Sequence, residues 1–392
     1  MNQTNPAFTV GIYTLGCKVN QYESEAIAEA FEKEGAIILP PDRVCDAYVI
    51  NTCTVTAESD RKARQFIRRA IAKNPAAYVA VTGCLAQTAP ENLAAIRGVD
   101  VIVGNTDKLT VVPALLALMR AGEKSPAPSL RVADMESAPF EPMCISAFGR
   151  TRAYVKIEDG CENRCTYCII PSARGSVRSK PAREVVTEVR LLTEGGCREV
   201  VLTGIETASW GKDLKGTDLA DLLTEVNGIE GIGRVRLGSL DPSLIREKFV
   251  EKIAPLSSLA PHFHLSLQSG SSRVLALMKR KYNADQARRA MELLRERMPR
   301  VKFTTDVIVG FPGETEEDFM ETVRFVAEQK FLTVHIFSLL QATGHPRRAN
   351  ARSSTGGGQA GAASPPGSGG GGGKTGDPCR GGGEISHHPR AL

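Results

Sequence analysis

No run in this 392-residue sequence is apolar over anything near the ~20 residues that a membrane-spanning helix needs. Its opening, MNQTNPAFTV, lacks the basic start and apolar stretch of an export leader. A cytoplasmic protein with no membrane partner is therefore the expectation. Net charge is nearly absent too. The formal value is +5, but residues 339–392 hold six Lys/Arg against two Asp/Glu, and the remainder is close to neutral. Overall charge thus argues neither for nor against a nucleic-acid partner. The third absence is a cysteine. Residues 161–168, CENRCTYC, bring three thiols together, yet no fourth follows nearby and no second Cys-x2-Cys pair exists in the chain. A zinc knuckle built on two such pairs is disfavoured by that gap.

What is present reads as a soluble globular protein, with 42% hydrophobic and 24% charged residues and length enough for two domains. Ten cysteines in a compartment that keeps thiols reduced point to metal or redox chemistry rather than disulfides.

Three early segments repeat one design, an apolar β-type run, then Gly or Asn and a cysteine, then a helical pattern: FTVGIYTLGC, AYVINTC and YVAVTGC, ending at Cys17, Cys53 and Cys84. Continuous apolar runs such as Val79 to Val81 suit a parallel sheet covered on both faces, with helices at about 22–34, 57–73 and 90–97 and a further short strand in DVIVGN. The first domain, residues 8–120, is thus an open parallel-sheet α/β unit. Loops after parallel strands share one edge, so the three thiols are expected to converge despite their separation in sequence. The competing reading is three small buried hydrophobes. Cys45, Cys144 and Cys197 fall outside the pattern.

Residues 121–148, rich in Pro, Ala and Ser, read as a linker. A second domain, 149–337, alternates AYVKI, EVVLTG, RVRLGS, HFHLSLQ, FTTDVIVG and TVHIF with helical patterns near 182–195, 217–227, 243–254, 284–297 and 315–328. Six βα units imply a partial or full barrel with its site in the loops after the strands, the first of which is CENRCTYC. From 338 to 392 periodicity ends. Fifteen Gly and five Pro among the last 54 residues cannot support a core, and the composition resembles GC-rich DNA read out of frame, so a disordered, frameshifted tail is expected.

A four-iron cluster normally takes four thiolates, one per iron, and three leave an iron open for a substrate. The alternatives are zinc on Cys161, Cys165, Cys168 and a distant His262, His264 or Cys144, or a trio of free thiols open to oxidation.

The Cys-x3-Cys-x2-Cys spacing, with Tyr167 before the third cysteine and the first βα loop of a barrel as its setting, resembles the radical S-adenosylmethionine (SAM) superfamily. Together with TLGCKVNQYESE, NTCTVT and TGCLAQ upstream, and GCENRCTYCIIPSARGSVRS, it is similar to the methylthiotransferase family over about residues 8–337. CKVNQYESE is similar to the MtaB-type branch, which acts on N6-threonylcarbamoyladenosine beside the tRNA anticodon. The resemblance implies two 4Fe-4S clusters and SAM. Cys161, Cys165 and Cys168 would hold the radical-generating cluster, with Tyr167 beside the cofactor, and Cys17, Cys53 and Cys84 a second cluster carrying the sulfur to be inserted at adenine C2. It further implies tRNA as substrate, a sulfur donor, and an electron donor such as a flavodoxin or ferredoxin. Isopentenyladenosine tRNA or a ribosomal protein are the alternative substrates. Residues 338–392 are not expected to form the family's RNA-gripping C-terminal β-barrel, so a cluster-binding protein with impaired catalysis is a further alternative.

Secondary candidates follow from position. Gly204 and Glu206 in TGIET, Ser239, Gln268 and Ser269 at strand ends, and Gly310 and Gly313 in GFPGET are expected near SAM; their bland readings are loops, turns and a helix cap at Thr315. Arg174 and Arg178 are expected to face SAM or tRNA phosphate, with a solvated basic turn as the alternative. On the helix 61–73, Ala63, Phe66, Ile67 and Ala70 form an apolar arc, and Arg61, Arg64 and Arg68 lie on a basic face fit either for tRNA backbone or for solvent alone.

Overall fold

The computed structural model describes residues 8–338, apart from 123, 125 and 137. The N-terminal unit runs β1 (Thr9–Thr14), α1 (Lys18–Lys33), β2 (Ile37–Leu39), β3 (Ala47–Thr52), α2 (Ala57–Lys73), β4 (Tyr78–Gly83), α3 (Cys84–Thr88), α4 (Pro90–Ala94), β5 (Val101–Val103), α5 (Val111–Ala121) and β6 (Ser129–Arg131). Its strands form one sheet in the order β2-β1-β3-β4-β5-β6, every pairing parallel. Every residue of the central strand β3 is buried, the apolar run Ala47 to Ile50 against helices on both faces and Asn51 and Thr52 through hydrogen bonds to Asn20, Ser24 and Thr82. One face packs Ile50, Val79 and Val81 on Ala63 and Ile67 of α2, and the other packs Val49 and Val101 on Ile27, Phe31 and Leu115 of α1 and α5.

Helix α2 begins where Thr56 accepts a hydrogen bond from the Ser59 N–H, a cap worth about 1 kcal/mol. Helix α1 starts earlier than the apolar periodicity indicates, at Lys18, because its first turns bury the polar residues Asn20, Glu23 and Ser24. Residues 121–148 are not a linker. Strand β6 extends the sheet beside β5, and Met135, Met143 and Ile145 are buried. Strand pairing needs backbone N–H and C=O groups, and Ser129, Leu130 and Arg131 keep both, the prolines that lack the N–H standing just before them at Pro126 and Pro128.

The second unit runs β7 (Ala153–Lys156), β8 (Glu158–Asp159), α6 (Ile170–Arg174), β9 (Arg178–Ser179), α7 (Ala182–Glu194), β10 (Glu199–Thr203), α8 (Leu219–Asn227), β11 (Arg234–Leu237), α9 (Glu247–Ile253), β12 (His262–Gln268), α10 (Ser272–Leu277), α11 (Ala284–Arg297), β13 (Lys302–Val309), α12 (Glu316–Gln329) and β14 (Thr333–Ser338). All six expected strands are present. Parallel β7-β10-β11 and β12-β13-β14 meet through isolated parallel bridges, Val235 with Leu259 and Leu240 with Leu265, giving an open barrel wall. In β12, Phe263, Leu265 and Leu267 join the core shared with the outer helices, so alternation turns His262, His264, Ser266 and Gln268 to the inner face. The Gly-rich tail beyond β14 lies outside the described residues.

The units are clamped through α1. The single Tyr22 O–H is shared between the Met143 carbonyl at 2.7 Å and Glu188 Oε1 at 2.9 Å. Glu29 accepts from the N–H groups of Ser146 and Ala147.

Candidate functional site

Cys17, Cys53 and Cys84 follow β1, β3 and β4, neighbours in the sheet whose ends pair Thr14 with Asn51 and Thr52 with Gly83. Their loops therefore lie side by side. Two glycines permit the closeness. A Cβ on Gly16 (φ +100°) would stand 2.7 Å from Cys53 Cβ, and one on Gly83 (φ +97°) 2.4 Å from the Thr52 carbonyl oxygen. Asn20 ties the loops together, donating to the carbonyls of Leu15 (2.8 Å) and Thr52 (2.9 Å). The thiols sense one another: burial pushes Cys53 up to about 11, with Cys84 and Cys17 adding to the rise. Cys17 is exposed, and desolvation by the surrounding chain raises its thiol, opposed by Arg174 and Asn20.

Cys161, Cys165 and Cys168 occupy the loop between β8 and α6. Its backbone is held by Cys161 N–H to Gly175 O (2.9 Å), Thr166 N–H to Met278 O (3.2 Å) and Cys168 N–H to Cys165 O (3.1 Å). Burial pushes the Cys161 thiol up to about 12 and that of Cys168 to about 11. The Arg280 guanidinium points Nη1 at Cys165 Sγ, 3.5 Å away. Tyr167 packs with Val274, Met278, Ile308 and Phe311, its ring edge-to-face with Phe311 at 6.2 Å, which joins the cysteine loop to GFPGET.

Each triad fits a cluster by its chemistry. Each supplies three soft thiol donors, and binding metal would require their deprotonation. Among the described residues no three His, Cys, Asp or Glu side chains are arranged to hold a metal ion. A cluster instead takes one thiolate per iron. Two of the three candidate distant zinc ligands, His262 and His264, are engaged with Thr304 (3.3 and 3.0 Å), and His264 also with Asp306 at 3.2 Å.

Beside the second triad stand two carboxyls, Glu158 buried and Glu206 half-buried. Glu206 Oε2 accepts from Asn163 at 3.2 Å and Glu158 Oε2 from the Glu206 N–H at 2.8 Å, while Oε1 of each has no partner among the described residues. Burial, reinforced by Asp241, pushes Glu206 up to about 7, and burial holds Glu158 well above the carboxylate range. Such unpaired acceptors are suited to a cationic amino group. Gly204 lies against Glu158, so that a Cβ there would sit 2.5 Å from Oε2. Ser239 and Gln268 are half-buried at the ends of β11 and β12. Ser269 is not available to a ligand: it is fully buried, its Oγ at 3.1 Å from Thr322 Oγ1 and accepting from the Ser271 N–H. Gly310 borders an open cleft of about 350 Å³ lined by Val309, Glu314, Thr315, Glu316 and Phe319, and Gly313 (φ +87°) lies in the same turn. The N–H groups of Gly310 and Phe311 donate to Glu314, and Thr315 forms a full capping box with Asp318.

Arg174 and Arg178 do not face RNA or solvent. Arg174 is fully buried, donating to Glu23 Oε1 (2.6 Å), Asn20 Oδ1 (2.6 Å), Asp159 Oδ2 (3.1 Å) and Cys84 Sγ (3.3 Å). Arg178 donates to the carbonyls of Arg174 (2.8 Å) and Ser176 (2.9 Å). Lys156 completes the network, with Glu23 at 2.8 Å and Asp159 at 2.6 Å, and Lys108 pairs with Glu23. Burial alone would raise Glu23 and Asp159, but Arg174 and its neighbouring lysines outweigh it and hold both carboxyls well below their usual range. Sequence reasoning missed Glu23, Lys108, Lys156 and Asp159. Only Glu23 carried a signal, lying within CKVNQYESE.

On α2, Arg61 pairs with Glu58 at 2.7 Å and Lys62 shares that carboxylate. Arg64 is half-buried and Arg68 exposed, and neither has an ion pair among the described residues. Arg68 and Arg97 flank a shallow hollow of about 370 Å³. No described helix is long and apolar enough to cross a membrane.

Comparison with known proteins agrees with this arrangement. The description "Radical SAM superfamily" matches residues 155–326, and "Uncharacterized protein family UPF0004" matches 9–104. The chain is 43% identical over 341 residues to the threonylcarbamoyladenosine tRNA methylthiotransferase MtaB of Bacillus subtilis, covering 86% of this chain and 75% of that protein. It is 36% identical to the tRNA-2-methylthio-N6-dimethylallyladenosine synthase of Carboxydothermus hydrogenoformans, covering 86% and 77%. The solved structure of the radical SAM methyltransferase TsrM from Kitasatospora setae shares the fold, with TM-score 0.59 and 16% identity over 85% of this chain and 75% of that one.

Proposed function

The chain belongs to the radical SAM methylthiotransferase family, and from that premise we propose that it converts N6-threonylcarbamoyladenosine beside the tRNA anticodon to its 2-methylthio derivative. The observation that carries the reading is the pair of cysteine triads, one in each unit, joined through Arg174. The threonylcarbamoyl substrate is favoured over dimethylallyladenosine by relatives reaching 43% against 36% identity.

When bound, the two clusters and SAM supply a 5′-deoxyadenosyl radical, a methyl group and the sulfur atom. The chain's own residues hold and enclose them. Cys161, Cys165 and Cys168 would hold one cluster, and Glu206 and Glu158 would offer acceptors to SAM bound beside it. Ser239 and Gln268 would supply further polar contacts, Gly310 and Gly313 would let backbone approach the cofactor, and Tyr167 with Phe311 keeps water from the loop. Cys17, Cys53 and Cys84 would hold the second cluster. Arg64 and Arg68 grip RNA backbone. An electron donor such as a flavodoxin or ferredoxin and a sulfur donor serve the reaction, in the cytoplasm.

Anaerobic reconstitution with iron and sulfide quantification and Mössbauer spectroscopy tests the premise. About eight irons per chain are expected, halved in Cys17→Ala and in Cys161→Ala. Four or fewer, or zinc in their place, would overturn it. Nucleoside analysis of tRNA carrying threonylcarbamoyl- or isopentenyladenosine, incubated with the reduced enzyme and SAM, then decides the substrate.

A further inference from the structure

Arg174 reaches the first cysteine site from the other unit, since it closes α6, the helix after the Cys161, Cys165 and Cys168 loop. Its Nη1 donates to Glu23 Oε1 at 2.6 Å and Asp159 Oδ2 at 3.1 Å, and its Nη2 to Asn20 Oδ1 at 2.6 Å. With both terminal nitrogens engaged, the planar fork fixes the direction of Nε–H, which points at Cys84 Sγ, 3.3 Å away. Both side chains are buried, so the contact is dry. Its surroundings are cationic as well. Lys108, Lys156 and Arg178 join Arg174 on just two carboxylates, Glu23 and Asp159. Glu141, which senses both lysines, is pushed up to about 7 by burial and offsets that excess only in part. A buried network with more positive than negative charge therefore ends on one of the three sulfurs.

A cluster on Cys17, Cys53 and Cys84 would carry net negative charge, and one-electron reduction adds to it, part of the added charge falling on the thiolate sulfurs. A fixed N–H donor and an excess of positive charge stabilise the reduced form more than the oxidised one, and do so more strongly in a dry site than in water. We propose that Arg174 is a positioning residue that raises the reduction potential of the cluster held by Cys17, Cys53 and Cys84, acting through its Nε–H bond to the Cys84 sulfur. Among the described residues none of its hydrogen bonds reaches Cys161, Cys165 or Cys168, so the effect belongs to the first site. The inference rests on the two-cluster reading above. It gives the arginine that joins the units a chemical role besides holding them together: the helix after one cluster loop sets how readily the other cluster accepts an electron.

The test uses the full chain with Cys161, Cys165 and Cys168 replaced by Ala, so that one cluster is read alone, reconstituted anaerobically and titrated with dithionite, the electron source, under EPR. About four irons per chain are expected. Arg174→Lys keeps the charge but not the directed N–H and should make the cluster harder to reduce. The ratio of reduced to oxidised cluster at a fixed potential should fall about tenfold, a shift of about 59 mV for one electron. Glu23→Gln leaves the N–H in place, removes a carboxylate charge and should shift the potential the other way. An unchanged potential in Arg174→Lys overturns the inference, and so do shifts of both variants in one direction, which loosened packing would give. A further measurement leaves Arg174 and Glu23 intact and so does not depend on how their variants fold. With isotopically labelled guanidinium nitrogen in every arginine, pulsed EPR of the reduced cluster should show a nitrogen coupling, and its absence overturns the inference equally. Failure of that chain to hold a four-iron cluster at all would instead overturn the two-cluster reading, and the inference with it.

Discussion

Arg174 donates through Nε to Cys84 Sγ at 3.3 Å, from the last residue of the helix that follows the second cysteine triad. One side chain thus rests the radical-cluster loop on a ligand of the other site and gathers Glu23 and Asp159 from separate units. Replacement by methionine would leave two buried carboxylates short of a partner, and a loss of about 3–5 kcal/mol is expected. Arg174→Lys keeps the charge but not the fork and should lose less. Anaerobic thermal unfolding measures both, and unaltered stability in Arg174→Met would refute the linchpin role.

Gly83 holds a conformation that L side chains rarely adopt, and a Cβ there would meet the Thr52 carbonyl oxygen at 2.4 Å. Gly83→Ala should strain the turn by about 1–3 kcal/mol and displace Cys84. Iron per chain is expected to fall by about half, with the Cys161, Cys165 and Cys168 site still filled. Full iron content would show that the loop absorbs the methyl group.

Glu141 offers a pH prediction. Burial pushes its carboxyl up to about 7 from an ordinary 4.5. The folded state thus retains a proton that the unfolded chain releases, so its contribution is greatest below pH 4.5, declines as pH rises to about 7 and is flat above. Glu141→Gln should gain melting temperature relative to the parent across that interval. Glu23 has the opposite sign: its depressed carboxyl contributes stability that is lost as pH falls below the ordinary carboxylate range. Parallel pH profiles of Glu141→Gln and the parent would count against the buried, protonated carboxyl.

Arg64 and Arg68 have no ion pairs among the described residues, unlike Arg61. If they touch tRNA phosphate, replacing both by Gln should reduce the salt slope of tRNA binding by about 0.7–0.9 per lost contact, with base preference intact. An unchanged slope would leave α2 as a solvated face.

Much of this was legible in local pattern. The α2 and α11 spans and all six barrel strands were readable because periodicity and capping act within a few residues. The convergence of Cys17, Cys53 and Cys84 was also readable, since parallel connectivity puts successive loops on one edge. Strand β6 escaped notice because a three-residue edge strand leaves almost no periodic signal. Ser269 misled because a strand-end position does not reveal whether a hydroxyl turns to the ligand or, as here, to Thr322.

The sequence by itself determined which groups exist and in what rhythm: two cysteine triads, each one thiol short of saturating a cluster, set on the loops of two parallel β-structures. Tertiary structure alone decided where charge is hidden. A basic turn such as SARGSVRS is solvated or buried according to what meets it, and Arg174 is met by Asn20, Glu23 and Cys84, each at least 90 residues away in the chain. Desolvation and ion pairing depend on distance in space, and no local pattern encodes that distance.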